Sequence, residues 1–140
     1  MTLDRIFLDA NVLFSIAYGN PGPLRLLEFA RKKHGLLLAS SYVVEEAKRS
    51  LLEPEQIDRL DTCLSRLRLV PEVDPRTPCP IELPEKDRPV LLTAISARAN
   101  YLVTGDMLHF GKHFGQTIHG VKICRIRDYL ADQEGKLKKK

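Results

Sequence analysis

Short apolar runs alternate along the chain with segments whose apolar residues recur at helical spacing. The runs predict buried strands at residues 5–8, 36–39, 67–70, 101–104 and 121–124. The segments between them predict helices at about 24–34, 40–52, 54–66, 87–100 and 126–131, the first of which is expected to end at a His34-Gly35 stop. Strands that alternate with helices predict an α/β fold in which helices cover both faces of a parallel sheet.

Turn-forming residues divide this pattern. Asp9-Ala10-Asn11 predicts a turn after the first strand, and residues 19–23 predict another turn before the first helix. Residues 71–89 hold six of the nine prolines and predict a loop that covers or crosses the domain. A short helical or irregular segment is expected at 106–114. The 140 residues therefore predict a single domain at 1–132, followed by a lysine-rich tail at 133–140.

The charge changes this picture little, because it is concentrated at one end. The net charge of +4 is matched by the four lysines at positions 136, 138, 139 and 140. These lysines would either bind phosphates or form a solvated, disordered terminus. The overall charge neither requires nor excludes an RNA partner.

The cysteines and the apolar content bear on the compartment. Three widely spaced cysteines without a CxxC pair predict reduced thiols in a cytoplasmic protein. The chain has no run of about 18 apolar residues, and its N-terminus is expected to begin a strand and not a signal peptide. We therefore expect no membrane segment.

Carboxylates recur where a predicted strand passes to a helix, or early in the helix that follows. They are Asp9 in IFLDAN, Glu46 in SSYVVEEAKRSL, Asp87 in PEKDRPVLLTA and Asp106 in YLVTGDMLHF. Because the carboxyl ends of parallel strands meet at one edge of a sheet, we expect these side chains to converge. On a helical wheel Glu46 lies beside the apolar arc, whereas the neighbouring Glu45 points to solvent.

Each acid also has a simpler interpretation when it is considered alone. Asp9, Asp87 and Asp106 are suited to be helix N-caps or turn residues, roles worth about 1 kcal/mol each, and Glu46 is suited to an exposed helix face. Carboxylates clustered at one edge would repel one another unless cations compensated them. Oxygen ligands suit Mg²⁺ or Mn²⁺, so the pattern favours a site for one or two such ions.

The order of these motifs resembles that of the PIN domain, the nuclease fold of VapC-type toxins and related prokaryotic RNases. The matching segments are LDAN, S-x₅-E, K-D-x-x-V-L-x-x-A and Y-L-V-T-G-D-x-x-H-F, and the resemblance extends from residue 5 to about 130. It implies a three-layer α/β/α PIN-like fold with a central, mostly parallel sheet of four or five strands. The positions that match the family's acids are Asp9, Glu46, Asp87 and Asp106, and those that match its supporting polar residues are Asn11 and Thr104.

The resemblance implies a metal-dependent ribonuclease that uses Mg²⁺ or Mn²⁺ and acts as the toxin of a toxin–antitoxin pair. In-line hydrolysis would leave 5′-phosphate and 3′-hydroxyl ends without a covalent nucleophile. Asp9 and Asp106 would be direct metal ligands, and Glu46 and Asp87 would be ligands or would hold water at the metal. The expected partners are an RNA substrate, an antitoxin protein and a second copy of the chain.

Other functions are compatible with parts of the pattern. A stand-alone RNA-processing nuclease, or a non-catalytic PIN-like module that binds RNA or protein, would use the same fold. A haloacid-type phosphatase would need an aspartate where Asn11 stands, and a receiver domain has no use for an acid at Glu46.

The remaining polar and aromatic candidates are less specific. His109 and His113 are interpreted as exposed loop residues, with RNA contact as the alternative. Phe110 and Phe114 are interpreted as core residues and not as platforms for bases. The residues considered for a phosphate path are Tyr18, Arg25, Arg49, Arg98 and Lys112.

Overall fold

A computed structural model describes residues 3–32 and 35–138, with side chains up to residue 135. Within these residues the strands are β1 (Asp4–Leu8), β2 (Gly35–Ala39), β3 (Arg68–Leu69), β4 (Tyr101–Val103), β5 (Thr117–Ile118) and β6 (Val121–Cys124). The helices are α1 (Ala10–Ala17), α2 (Pro21–Arg31), α3 (Ser41–Arg49), α4 (Pro54–Leu64), α5 (Arg88–Ser96), α6 (Met107–Phe110) and α7 (Ile126–Lys138). A single 3₁₀ turn, Gly111–His113, follows α6.

The strands form one sheet in the order β3-β2-β1-β4-β6-β5, in which β5 alone is antiparallel to its neighbour. Apolar side chains of β1, β2, β4 and β6 pack against the helices in a common core. The predicted α/β class with a mostly parallel central sheet is therefore confirmed. The sheet has one strand more than the upper expected number, because the short strand β5 pairs with β6 in a tight hairpin.

Strand β1 lies at the point where the strand order changes direction. It pairs in parallel with β2 on one side and with β4 on the other, and Ile6 is aligned with Leu37 and with Tyr101. The pairing continues past β1, since the backbone N of Asp9 donates to the carbonyl oxygen of Val103 at 3.1 Å. In open α/β sheets such a switch point leaves a crevice at the carboxyl ends of the two diverging strands.

Helix α1 was not expected, because residues 9–11 predicted only a turn. Asp9 caps this helix, and the side chains of Ala10, Leu13 and Ala17 are buried at helical spacing. Its sequence is ANVLFSIA, in which every residue except Asn11 is apolar or small. Because the segment is nearly continuously apolar, the helical spacing of its buried residues cannot be recognised in the sequence. The prediction of a turn with no helix was therefore wrong.

The boundaries of α2 and α5 also differ from those expected. Helix α2 begins at Pro21 inside the predicted turn, because proline is favoured in the first turn of a helix, where its missing N–H is not needed. Its predicted end at His34 lies outside the described residues. Helix α5 ends at Ser96 and not at the predicted Asn100. Asn100 instead makes two hydrogen bonds with Arg5 in β1: its backbone N donates to the Arg5 carbonyl oxygen at 2.7 Å, and its Oδ1 accepts from the Arg5 N–H at 2.8 Å.

The C-terminal helix is longer than predicted. Helix α7 continues to Lys138, beyond the expected end at residue 131. The division into a domain at 1–132 and a tail at 133–140 stays a prediction. Among the described residues, no helix combines the length and the apolar character needed to cross a membrane.

Candidate metal centre

A cleft of about 390 Å³ opens at the carboxyl ends of β1 and β4. The predicted acids Asp9, Glu46, Asp87 and Asp106 all contribute to its wall. The other lining residues are Ala10, Asn11, Phe14, Ala47, Ser50, Lys86 and Gly105. Lys86 is the single cationic side chain among the described residues that line the cleft, so the cleft is strongly acidic.

Asp9 lies at the bottom of this cleft with 4% of its surface exposed. Its Oδ1 accepts a hydrogen bond from the N–H of Ala10 at 2.7 Å, which caps α1. Its Oδ2 accepts from the hydroxyl of Thr104 at 2.8 Å and from Nδ2 of Asn11 at 3.2 Å. Burial raises the pKa of Asp9 to about 6, against the effect of these hydrogen bonds, and the nearby charges of Glu46 and Asp87 add to the increase.

Asn11 and Thr104 tie the ends of β1 and β4 together. The Thr104 hydroxyl donates to Asp9 and accepts from the backbone N of Asp106 at 3.1 Å. Asn11 Nδ2 lies 3.2 Å from the same hydroxyl, and Asn11 Oδ1 accepts from the backbone N of Gly105 at 2.7 Å. Because both hydrogen-bonding atoms of Asn11 and the Thr104 hydroxyl are engaged, these two residues fix the positions of Asp9 and Asp106 relative to each other.

Asp106 contacts His109 through both carboxylate oxygens. Its Oδ1 accepts from the backbone N of His109 at 3.0 Å and caps α6, and its Oδ2 lies 2.9 Å from His109 Nδ1. The same Nδ1 is 2.9 Å from Oδ2 of Asp87, but its hydrogen bond goes to Asp106. Oδ2 of Asp87 is therefore a buried oxygen with no hydrogen-bond partner among the described residues.

The electrostatics of Asp87 follow from this environment. Asp87 is 7% exposed and begins α5 without a side-chain cap. Burial raises its pKa; the charge of His109 opposes this increase and the charge of Asp106 adds to it. A buried carboxylate oxygen without a hydrogen-bond partner, such as Oδ2 of Asp87, is costly, and a bound cation would compensate it.

Glu46 approaches the cleft from α3. It is half-buried, whereas Glu45 is exposed, as the helical wheel predicts. Ala47 and Ser50 line the cleft from the same helix. Helix α3 begins at Ser40, whose hydroxyl accepts from the N–H of Val43, as the sequence predicts.

These residues have the composition of a divalent-cation site. Carboxylate oxygens are the hard ligands that Mg²⁺ and Mn²⁺ prefer. One ligand atom each from Asp87, Asp106 and His109 lies within 4.8 Å of the others. Together with the unpartnered Oδ2 of Asp87, this grouping shows that the residues present fit a cation.

The alternative interpretations of the acids as caps are partly correct and do not exclude a site. Asp9 and Asp106 both cap helices through side-chain oxygens and still line the cleft, whereas Asp87 makes no such hydrogen bond. The structure thus places all the predicted acids around one cleft, with Asn11 and Thr104 hydrogen-bonded to Asp9. Of these acids, Asp87 and Asp106 belong with His109 to the closer group of ligand atoms described above. Their catalytic and metal-binding roles stay predictions.

The interpretation of the histidines as exposed loop residues was wrong. His113 is buried and its Nδ1 lies 2.9 Å from Oε1 of Gln116, and His109 contacts two of the acids. The expected packing of Phe110 and Phe114 is confirmed, since Phe110 is fully buried and Phe114 packs against the core.

A second groove, which the sequence did not predict, adjoins the cleft. It has a volume of about 500 Å³, shares Asn11 and Gly105 with the cleft, and is lined by Arg25, Arg125 and Arg127. Polar residues just after strand ends were considered as site candidates, and this is how Asp9 and Asp106 were found. Arg125 directly follows β6, so the same criterion would also have indicated it. Lys86 was likewise overlooked, although it precedes Asp87 in the sequence.

The chain has a three-layer α/β/α fold of the PIN-like kind, with carboxylates around a cleft at the switch point of its sheet. No protein-family model matches the chain, and no curated protein sequence matches it. A similar solved structure is a chain in the crystal structure of VapBC2 from Rickettsia felis bound to a DNA fragment from their promoter. The TM-score is 0.59 at 20% sequence identity, and the match covers 86% of this chain and 98% of that chain. At this identity the likeness establishes the fold.

Proposed function

We propose that the protein is a cytoplasmic, divalent-cation-dependent endoribonuclease. The observation that carries this proposal is the convergence of Asp9, Glu46, Asp87 and Asp106 on one cleft. Like charges buried together destabilise a fold unless a cation compensates them. Because the available ligands are carboxylate oxygens, Mg²⁺ or Mn²⁺ is the cation that suits the cleft.

Each residue has a role that follows from its contacts. Asp9, Glu46, Asp87 and Asp106 would hold the cation, which when bound would neutralise charge on a phosphodiester and make a nearby water more acidic. The hydrogen bonds from Thr104 and Asn11 keep the Asp9 carboxylate in a single orientation, so little reorganisation is needed for binding. No side-chain nucleophile is required, and in-line attack by water would leave 5′-phosphate and 3′-hydroxyl ends.

A nucleic acid is proposed as the substrate because arginines lie beside the cleft, and the resemblance of the sequence motifs to PIN-domain nucleases favours RNA. A polyanion would be repelled by the acids alone, but Arg25, Arg125 and Arg127 line the adjoining groove. Arg127 is exposed. Arg25 is paired with Glu134 and Arg125 with Asp128, each at 2.9 Å, and Arg125 also lies over the ring of Phe114. Phosphates on one side of the cleaved bond would bind there, while Lys86 would bind close to the reacting phosphate.

We further propose that the protein is the toxin of a toxin–antitoxin pair and forms a homodimer. The resemblance of the sequence motifs to VapC-type toxins and the likeness of the fold to a chain of VapBC2 both support an antitoxin partner. A stand-alone RNA-processing nuclease is the second candidate, since it would use the same cleft without an antitoxin.

Cleavage of RNA by the purified protein tests the nuclease directly. We expect cleavage of mixed RNAs with Mn²⁺ or Mg²⁺ and none in excess chelator. Asp9→Asn, Glu46→Gln and Asp106→Asn should each reduce the rate by about 100-fold or more, given that even outer residues of metal sites cost 10–100-fold. The exposed neighbour Glu45 provides a matched control, and Glu45→Gln should cleave like the wild type.

The outcomes separate a specific nuclease from a contaminant. Circular dichroism should show that each variant is folded. Cleavage that persists in excess chelator, or that survives both Asp9→Asn and Asp106→Asn, would contradict the proposal.

Expression in bacterial cells tests the toxin role. We expect growth to stop when the wild type is produced and to continue when Asp9→Asn is produced at the same level. Normal growth with folded, RNA-cleaving wild-type protein would reject the toxin role and support the stand-alone nuclease.

A further inference from the structure

His109 is placed between two of the acids in a way that the capping of α6 alone does not require. The cap needs only the backbone N of His109, which donates to Oδ1 of Asp106. The imidazole ring nevertheless turns its Nδ1 toward the acids, to 2.9 Å from Oδ2 of Asp106 and 2.9 Å from Oδ2 of Asp87. The side chain is 23% exposed, so it is largely enclosed.

A single N–H cannot satisfy both carboxylates at once. If Nδ1 carries the proton, it serves Asp106 and leaves the buried Oδ2 of Asp87 without a partner. If Nδ1 is unprotonated, its lone pair faces two carboxylate oxygens. A cation in contact with Nδ1 and both oxygens removes the difficulty, because all three atoms then act as ligands. Nδ1 must be unprotonated to bind it, so a proton on Nδ1 moves to Nε2 or is released to solvent as the cation binds.

The spacing of these atoms fits one ion. Neighbouring ligands of an octahedral cation with bonds of about 2.1 Å lie about 3.0 Å apart. The two Nδ1–Oδ2 distances of 2.9 Å match that separation, and the three atoms lie within 4.8 Å of one another. Asp87, the residue with the unpartnered oxygen, is 7% exposed.

We propose that Nδ1 of His109 is a ligand of the divalent cation held by Asp87 and Asp106, and that this nitrogen makes the site select Mn²⁺ over Mg²⁺. Mg²⁺ prefers oxygen ligands and retains its waters, whereas imidazole binds transition metals well. Ligation through Nδ1 places the remaining ring proton on Nε2. The inference rests on the proposed function, since it concerns the same cation.

Electron spin-echo spectroscopy of the intact wild-type protein with Mn²⁺ tests the ligand directly. A nitrogen bound to Mn²⁺ produces ¹⁴N modulation, which we expect in the wild type and not in His109→Phe. His119 is exposed in the turn between β5 and β6 and has a positive φ of 48°, a conformation that asparagine tolerates. His119→Asn is therefore the matched control, and it should retain the modulation.

Calorimetric titration with each ion tests the selectivity. His109→Phe and His109→Gln should weaken Mn²⁺ binding by about 10-fold or more and change Mg²⁺ binding by less than about twofold. The ratio of the two affinities should therefore fall in both variants. In each variant the backbone N–H of residue 109 can still donate to Oδ1 of Asp106, so the cap of α6 is kept.

The inference and the proposed function fail in different ways. Mn²⁺ that binds the wild type without ¹⁴N modulation, or an unchanged Mn²⁺ to Mg²⁺ ratio in both variants, would overturn the role of His109 and leave the acidic site intact. Mn²⁺ binding that is absent, or that is unaffected by Asp9→Asn and Asp106→Asn, would overturn the metal site itself.

Discussion

At the scale of single residues, Asp9 combines burial with negative charge. Its two oxygens accept three hydrogen bonds, yet burial raises its pKa from the ordinary 3.8 to about 6. The pKa of Asp87 is raised for the same reason. Without a cation, ionisation of either carboxylate therefore lowers the stability of the folded protein.

Asp9 should make the stability of the cation-free protein fall as the pH rises. When the pKa of an acid is higher in the folded protein than in the unfolded one, the protein loses stability as the acid ionises with rising pH. For Asp9 this loss occurs as the pH passes from the unfolded-state pKa of 3.8 to the folded-state pKa of about 6. At about 1.4 kcal/mol per pKa unit, the full loss is roughly 3 kcal/mol. Between pH 4.5 and 7.5 we expect the free energy of unfolding of the wild type to drop by about 2 kcal/mol relative to Asp9→Asn.

Urea unfolding in excess chelator at the two pH values provides the measurement. Asp58 is exposed on α4, so Asp58→Asn should follow the pH dependence of the wild type. Parallel pH profiles for the wild type and Asp9→Asn would show that Asp9 does not carry this cost.

The orientation of Glu46 could be predicted from the sequence, whereas the position of His109 could not. The choice of Glu46 over Glu45 followed from helical spacing alone, because one position in a helix turns a side chain by about 100°. The position of His109 could not be inferred in the same way. It depends on the bend of the chain after Gly105 and on the loop that delivers Asp87, and neither is encoded in a repeating pattern.

At the scale of elements, the ends of β1 and β4 are joined by side chains and not only by the sheet. The Thr104 hydroxyl is at the centre of this connection, since it contacts Asp9, Asn11 and the backbone of Asp106. Thr104 is fully buried, so water could not easily take over the hydrogen bonds of its hydroxyl if the hydroxyl were removed.

Removing the Thr104 hydroxyl should therefore destabilise the fold. Thr104→Val keeps the shape of the side chain but leaves the backbone N of Asp106 without its hydrogen bond and removes one bond to Asp9. We expect a loss of about 1–3 kcal/mol in the free energy of unfolding. Thr104→Ser keeps the hydroxyl and should cost about 1 kcal/mol for the lost methyl group.

Urea unfolding and RNA cleavage, measured on both variants, check this expectation. The valine variant should be the less stable and the less active of the two. Equal stability and activity would mean that the hydroxyl is not what joins the two strand ends.

The elements themselves were largely predictable, and the exceptions have physical reasons. Strong alternation of strands and helices is visible in the sequence because each element buries one face. Helix α1 was missed because it is short and nearly all apolar, and β5 was missed because two residues in a hairpin have no pattern of their own. The start of α2 was misplaced because Pro21 serves equally in a turn and in a first helical turn.

At the scale of the whole molecule, an acidic cleft and a basic groove lie side by side. Arg25 reaches the groove from α2, whereas Arg125 and Arg127 reach it from the residue before α7 and from its first turn, far from α2 in the sequence. No local motif connects them, so the sequence did not reveal the groove. The arrangement suits a polyanion that crosses the cleft and continues along the groove.

Charge reversal in the groove should weaken RNA binding without altering the cleft. In an Asp9→Asn background, which prevents cleavage, Arg127→Glu should lower the affinity for single-stranded RNA. The slope of log affinity against log salt should become shallower by about 0.7 for each lost phosphate contact. Filter binding or fluorescence anisotropy at several salt concentrations measures both quantities.

Arg76 is the control for this experiment, because it lines neither the cleft nor the groove and is highly exposed. Arg76→Glu changes the net charge by the same amount. If it weakens binding as much as Arg127→Glu, the groove has no special part in holding RNA.

The proline-rich loop between β3 and α5 divides the acids equally. Asp9 and Glu46 precede it, and Asp87 and Asp106 follow it. A backbone cut anywhere from residue 71 to 86 would leave two carboxylates on each fragment, and neither fragment would carry the complete set. Non-covalent contacts, among them the pairing of β4 with β1 and the packing of α2 on α7, would then hold the two portions together, so the cleft exists only as long as the halves of the chain stay together.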